Sequence, residues 1–529
     1  MEFKFGGSEI NQKTVLGHPS GLFVLFFTEM WERFSYYGMR ALLILFLTKS
    51  ILEGGWEWDR ADASLMYGWY IGLVYLTPII GGWIADKFLG FRKSVVLGAL
   101  IMTLGHASMA LEIAADLFFY LGLVLLILGN GLFKPNISSM VGQLYKNQGR
   151  EKDAGYTIFY MGINSGAFLG ILLCGYIGEN IGWHYGFGLA GIFMFVGMLQ
   201  FHFAQSIFGK IGLNKKQTQD FDDVLEDTVE EIEENIEDVV EDVKTSKVNR
   251  DRIIVISIFA LFTVFFWWAF EQAGGSMTIF AADYTDRGLE GNAALIFKVV
   301  NTIITIVPML VITWVLSMLF KQTFKSYSLS NTILGIGFAI IWGIVIWMLF
   351  REFRADTTDV PASWFGVLNS LFIIVFAPVF SKIWESKFNP SGPVKFAIGL
   401  MLVGLGFGIL AYGATAIPDG AKTASVSLIY LVLAYLFHTL GELCVSPVGL
   451  SYVSKLAPLK LVGMMFGIWF IANFLAGVIG GWTASYIDPI SEEYGLSTFF
   501  LIFTAIPVGA GIVMLALSPL IRKMMHGIR

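Results

Sequence analysis

FVLFFTEMWERFSYYGMRALLILFL, residues Phe23 to Leu47, is long and apolar enough to cross a bilayer, yet it carries Glu29, Glu32, Arg33 and Arg40. A charge at the centre of a membrane helix costs roughly 2.5–3.5 kcal/mol on insertion scales. Such a segment is tolerated only if its charges face a bundle interior or a water-filled path. With the helical turn of about 100° per residue, Glu29, Glu32, Arg33, Tyr36, Tyr37 and Arg40 share one arc of about 140°. The opposite face is Leu, Phe, Ile and Met. This helix therefore lines something polar inside a membrane, and the rest of the chain must supply the bundle around it.

Composition agrees. Of 529 residues, 56% are hydrophobic and only 14% charged, with a mean hydropathy of +0.68. Soluble domains hold about 25% charged residues, so the fold class is an all-α polytopic membrane protein. Apolar runs of spanning length lie near 21–48, 64–85, 93–113, 117–145, 155–178, 184–208, 252–282, 295–320, 330–350, 362–386, 394–416, 424–455, 459–483 and 497–522, fourteen in all. Cys174 and Cys444 both fall in apolar stretches, which argues against a disulfide framework. The polar first 20 residues lack the pattern of a removable signal peptide.

The positive-inside rule sets the orientation. With the N-terminus in the cytoplasm, the short inner loops hold Lys87, Arg92, Lys93, Lys146, Arg150 and Lys152, among others. The outer side holds fewer cations, such as Arg60, Arg287 and Lys422. Dropping one of the two segments at 295–350 would send every later loop to the wrong side. Both termini are thus expected in the cytoplasm, and Arg33, Arg40 and Lys134 remain as the membrane-embedded cations.

Six apolar runs precede a polar stretch and eight follow it. The division is residues 1–209 as an N-terminal six-helix bundle, 210–251 as an acidic cytoplasmic linker, and 252–529 as a C-terminal bundle with two inserted helices at about 295–350. Within the linker, Leu225, Val229, Ile232, Ile236, Val239 and Val243 form a heptad-like seam. A solvated amphipathic helix tying the halves together is the simpler reading, and a coiled coil of this length would be short. The stretch GGWIADKFLGFRK, Gly81 to Lys93, resembles the signature between the second and third helices of the major facilitator superfamily. That resemblance implies 6+6 core helices rocking around a midplane site, with Asp86 capping or pairing at the cytoplasmic end.

Three further charges are embedded. Lys134 lies in LGNGLFKPN before Pro135, Glu271 in FFWWAFEQAGG before Gly274 and Gly275, and Glu442 in FHTLGELCVSP before Pro447. Proline or glycine beside a buried charge fits a helix that distorts around a cavity. Seven embedded charges serve helix locking poorly, since buried ion pairs gain little over apolar packing. Charges of both signs suit a ligand with a carboxylate and an ammonium. A carboxylate whose surroundings switch between apolar and cationic can also load and release a proton.

The run Glu29-Met30-Trp31-Glu32-Arg33, followed by Phe34, Tyr36 and Tyr37, resembles the proton-dependent oligopeptide transporter family. So do LGNGLFKPN (Leu128 to Asn136), FYMGIN (Phe159 to Asn164) and GELCVSPVGL (Gly441 to Leu450), and the resemblance covers the twelve core helices. It implies a proton-coupled symporter importing di- and tripeptides by alternating access. Glu29, Glu32 and Arg33 would couple protons. Arg33, Lys134 and Tyr37 would receive the peptide carboxylate, and Glu442, Asn164 and Asn369 its ammonium. Arg40 with Glu271, and Lys134 with Glu442, would be gating pairs made and broken in the cycle. Tyr75, Tyr160, Trp267, Ser446 and Trp469 would shape the side-chain pockets. The partners are peptides, protons and the lipid bilayer, with no nucleic acid.

No catalytic or metal site and no cofactor is expected, and a proton gradient is the energy source. The chain has no GxxxxGK[ST] stretch for ATP and no HExxH or GxSxG stretch for an enzyme. A relative carrying nitrate or another small solute, and a peptide-binding membrane sensor, are the alternatives. The expected location is a cell inner (plasma) membrane. The sequence departs from the family in two places. Mammalian relatives have histidine where this chain has Gly68, and none of the six histidines matches a family proton site; His438, one turn before Glu442, is the one to test. The two extra apolar segments also follow the seventh core helix, whereas bacterial relatives often insert theirs before it.

Overall fold

The computed structural model describes residues 3–146, 149–214, 247–457 and 461–527. The acidic seam from Leu225 to Val243 lies outside the described residues. Among the described residues there are fourteen long helices and two of eight residues. They are α1 (Ser20–Thr48), α2 (Arg60–Ile84), α3 (Phe91–Met109), α4 (Asp116–Gln143), α5 (Arg150–Asn180), α6 (Trp183–Ala204), α7 (Lys247–Phe270), α8 (Ser276–Asp283), α9 (Gly291–Thr323), α10 (Ser328–Arg354), α11 (Val367–Glu385), α12 (Gly392–Ala414), α13 (Ile429–Leu456), α14 (Val462–Ala484), α15 (Ile487–Tyr494) and α16 (Leu496–Met524). Each apolar run in the sequence corresponds to one long helix, except that the run at 252–282 is divided between α7 and α8, so the all-α architecture stands. Three two-residue strand pairs join loops: β1 (Thr14–Val15) with β2 (His18–Pro19), β3 (Thr285–Asp286) with β6 (Val426–Ser427), and β4 (Gly288–Leu289) with β5 (Thr358–Asp359).

The chain forms two compact units. One comprises Met1–Glu57, Thr77–Lys215 and Arg287–Leu371; the other comprises Trp58–Leu76, Lys216–Asp286 and Phe372–Arg529. These divisions differ from those drawn at 209 and 252 on the sequence. The hairpin α9–α10 belongs with the first-half helices rather than with the C-terminal bundle. The physical reason is that Phe338 of α10 meets Trp31 of α1 edge-on, with ring centroids 5.4 Å apart. The Ser330 hydroxyl of α10 also donates to the carbonyl of Gln200 in α6 at 2.7 Å.

In the first unit, α1 lies directly on α5. A Cβ at Gly166 would overlap the Met30 carbonyl, so the glycine is what lets the two backbones approach. The start of α1 is tied down by Asn11, whose side-chain oxygen accepts from the Gly21 amide at 2.6 Å. Such a contact satisfies a backbone donor that the first helical turn leaves open. At the cytoplasmic signature, Arg92 donates to the Ile211 carbonyl at 2.6 Å and to the Gly209 carbonyl. Asp86 is exposed and does not cap α3, whose N-cap is Gly90 without a side-chain bond. Among the described residues it makes no ion pair.

The three expected distortions resolve unequally. At Glu271 the helix breaks: α7 ends at Phe270, Glu271–Gly274 form a 3-10 turn, and α8 restarts at Ser276. At Lys134, α4 runs through Pro135 unbroken, and α13 likewise runs through residue 447. Two adjacent glycines cost a helix about 1 kcal/mol each relative to alanine, whereas a lone proline removes one hydrogen bond that neighbouring groups can replace.

Candidate functional site

The first unit gathers the charges of α1 into one buried cluster. Glu29 is 2% exposed, Glu32 0% and Arg33 4%. The Nε of Arg33 lies 3.0 Å from a Glu29 carboxylate oxygen and 2.5 Å from one of Glu32. The other Glu32 oxygen accepts from the Asn130 amide of α4 at 3.0 Å. The two acids therefore pair with one guanidinium and one neutral donor, and the Lys134 charge also acts on both. Charged groups in a dry interior persist only with partners of this kind.

One turn onward, aromatic rings lie against the cations of α1. The Arg33 guanidinium lies 5.4 Å from the Tyr36 ring centre, and the Arg40 guanidinium 5.8 Å from that of Tyr37. Tyr36 and Tyr37 meet edge-on at 5.0 Å. Contacts of this type stabilise a desolvated cation by about 0.5–2 kcal/mol. Arg40 is buried, Lys134 and Asn369 are half-buried, and Tyr160 is 39% exposed. Asn164 is buried on α5, where its amide donates to the Tyr160 carbonyl at 3.0 Å.

The second unit holds the remaining expected residues. Glu271 is buried at the first position of the 3-10 turn between α7 and α8. A small cavity of about 10 Å³ beside it is lined by Ser64, Tyr67, Glu271, Gln272 and the glycines of α14. Glu442 and Trp469 are buried, and Tyr75, Trp267 and Ser446 are half-buried. Arg40 and Glu271 belong to different units, as do Lys134 and Glu442.

His438 packs between aromatic rings, 4.5 Å from Phe407 and 6.2 Å from Phe270 by centroids, which supports a packing role. At position 68, a Cβ would lie 2.5 Å from the Gly481 Cα of α14. No side chain fits there without moving a backbone, so the missing histidine is a consequence of helix contact.

Three participants escaped the sequence reading. Asn130 stands inside the quoted LGNGLFKPN, four residues before Lys134 and so on the same helix face; that spacing was the available signal. Arg60, read as an outer-loop cation, opens α2 and pairs with Asp283 at 2.7 Å and Asp488 at 2.8 Å. It also donates to the Tyr284 hydroxyl at 2.7 Å and to the Lys422 carbonyl at 2.9 Å. Glu179, near the end of α5, accepts from the amides of Ala362 and Ser363 at 2.9 Å each and from the Ser363 hydroxyl at 2.5 Å. It thereby holds the turn that leads into α11. Sequence gave no signal for either, because both pair with residues more than a hundred positions away.

Among the described residues no group of histidine, cysteine and acidic side chains is arranged to hold a metal ion. The arrangement suits reversible protonation and ion pairing inside a membrane.

Comparison with known proteins fits this chemistry. Residues 92–225 and 344–500 match the model of the POT family. The chain is 33% identical to a peptide transporter, YePEPT, of Yersinia enterocolitica subsp. palearctica, over 97% of this chain and 96% of that one. It is 32% identical to a di-/tripeptide transporter of Lactococcus lactis subsp. cremoris, over 98% and 99%. Among solved structures, a peptide transporter POT in complex with sulfate superimposes with a TM-score of 0.73 at 29% identity, each chain covered to 97%. A POT mutant in complex with alafosfalin gives 0.74 at 29%, each covered to 98%.

Proposed function

This chain belongs to the POT family, and on that premise we infer that it is a proton-coupled symporter importing di- and tripeptides by alternating access. The observation that carries the coupling is the pair of buried carboxylates Glu29 and Glu32, held on α1 by Arg33 and reached from α4 by Asn130. An inward proton gradient supplies the energy, with no cofactor and no chemical step on the peptide.

Peptide recognition follows from charge. Arg33 and Lys134, with Tyr37, suit a carboxylate; Glu442, with Asn164 and Asn369, suits an ammonium. Fixing the two termini while leaving the side-chain pockets permissive favours short peptides of varied sequence, because a longer chain puts its termini out of register with the charges. Arg40 and Glu271 are proposed to change partners during the cycle. Tyr75, Tyr160, Trp267, Ser446 and Trp469 are proposed to shape the pockets. The protein is placed in a cell inner membrane with both termini cytoplasmic, supported by the distribution of lysine and arginine.

The test is uptake of a labelled dipeptide into proteoliposomes, with and without an inward proton gradient, for wild type and Glu32→Gln. Concentrative uptake by the wild type, lost in the variant while gradient-free exchange persists, is the expected result. No gradient-driven uptake by folded wild-type protein would sink the symport reading.

A further inference from the structure

We propose that the inserted hairpin α9–α10 is a brace that positions the proton-coupling cluster, acting through Trp31 of α1. The inference rests on the symport reading above, because it assigns the hairpin a part in coupling.

On a helix, Phe27, Trp31 and Phe34 stand roughly opposite Glu29, Glu32 and Arg33. Trp31 sits between the two acids in sequence, so any rotation of α1 that moves the acids moves its indole too. That indole is fully buried. It stacks on Phe193 of α6, with centroids 5.0 Å apart and planes 9° from parallel. Phe338 of α10 closes the remaining side, edge-on to Trp31 at 5.4 Å and to Phe27 at 5.6 Å. Gly337 leaves the space this needs: a Cβ there would lie 2.9 Å from a Val196 methyl and 3.4 Å from the indole ring.

A second, polar contact fixes the same stretch of α1. Ser330 of α10 donates to the Gln200 carbonyl at 2.7 Å. The Gln200 side chain in turn accepts from the Thr28 hydroxyl at 3.0 Å and donates to the Val24 carbonyl at 3.3 Å. Thr28 immediately precedes Glu29. The hairpin is itself cross-linked. Trp342 of α10 donates to the Thr313 hydroxyl of α9 at 3.0 Å, and Asn331 donates to Thr323 at 3.0 Å. Lys298 of α9 donates to the Ala355 carbonyl just beyond α10 at 2.6 Å.

Close-packed interiors shift between discrete arrangements rather than deforming gradually. A brace holding the back of α1 at Trp31 and Thr28 therefore sets where the carboxylates on its front stand. Misplacement of a reacting group by about 1 Å costs up to about 100-fold in rate, so such a brace has leverage on coupling without touching proton or peptide. Phe338, Gly337 and Ser330 are positioning residues in this scheme.

The test compares Phe338→Ala, Phe338→Leu, Gly337→Ala and the lipid-exposed control Ile346→Ala, each reconstituted beside wild type. Two quantities are read: gradient-driven dipeptide accumulation and gradient-free exchange. Phe338→Ala and Gly337→Ala are expected to lower accumulation on the order of tenfold and to move the pH of half-maximal accumulation. Exchange should stay within about twofold, Phe338→Leu should restore most of the loss, and Ile346→Ala should match wild type. Accumulation and exchange falling together, or neither changing, would overturn the proposal. Should Phe338→Ala not fold, Gly337→Ala and Phe338→Leu decide alone. A wild type that exchanges dipeptide but never accumulates it would overturn the symport reading and this one with it; accumulation by wild type with an unaltered profile in the variants overturns the brace only.

Discussion

Helix α1 and the α7–α8 pair both carry buried carboxylates, and they do so by opposite means. α1 runs 29 residues without interruption through Glu29, Glu32, Arg33 and Arg40. α7 stops one residue before Glu271 and restarts only after a 3-10 turn. The sequence explains the contrast: Arg33 stands four residues after Glu29 and next to Glu32, whereas no cation lies within a turn of Glu271. A helix that brings its own counter-ion can stay regular in an apolar medium. One that does not has its acid at an opening in the backbone, beside a small cavity.

The largest effect is expected when the counter-ion is taken away from α1. Arg33→Ala removes the cation in direct contact with two buried carboxylates, a change that costs roughly 3–5 kcal/mol. Gradient-driven uptake is expected to vanish and the thermal midpoint in detergent to fall by several degrees. Wild-type uptake and midpoint in this variant would end the argument. Next in size is the attempt to make α7 resemble α1. Replacing Gly274 and Gly275 by alanine favours continuous helix by about 1 kcal/mol per residue, and transport is expected to drop on the order of tenfold while the protein stays folded. Unchanged uptake would show that the break is incidental.

A smaller effect is expected at the neutral member of the cluster. Asn130→Ala removes one hydrogen bond to a charged group, about 1–3 kcal/mol, and uptake under a gradient should fall several-fold, with exchange less affected. Equal losses in both modes would mean Asn130 is only packing. The smallest effect belongs to His18, just ahead of α1, which serves as a control on where pH dependence arises. Burial lowers its pKa, and its ring nitrogen bonds the Tyr145 hydroxyl at 2.7 Å. A base whose pKa is lowered by folding binds its proton more readily when unfolded, so its contribution to stability is present above about pH 6.5 and fades as pH falls. His18→Gln should flatten the thermal midpoint between about pH 5 and 7 and leave the pH profile of uptake unaltered. A shifted uptake profile would move part of the coupling off the carboxylates.

How much was legible follows the same division between local and distant causes. The fourteen helices were readable because each is a continuous apolar run, and the charged face of α1 because its residues recur at helical spacing. The break at Glu271 was signalled by adjacent glycines. Asp86 failed as a cap because Gly90, not an acidic side chain, takes the turn before α3. The placement of the hairpin was not legible, since the contact of Phe338 with Trp31 joins residues three hundred positions apart and leaves no periodic trace. Arg60 was hidden for the same reason, its partners Asp283 and Asp488 lying far along the chain.

The meeting of Gly68 with Gly481 carries a consequence for how this chain can change over time. Both positions already hold the smallest residue, so no compensating substitution at one can make room for a side chain at the other. A histidine at 68 thus has no single-step route: the two backbones must first be drawn apart by changes elsewhere along α2 and α14.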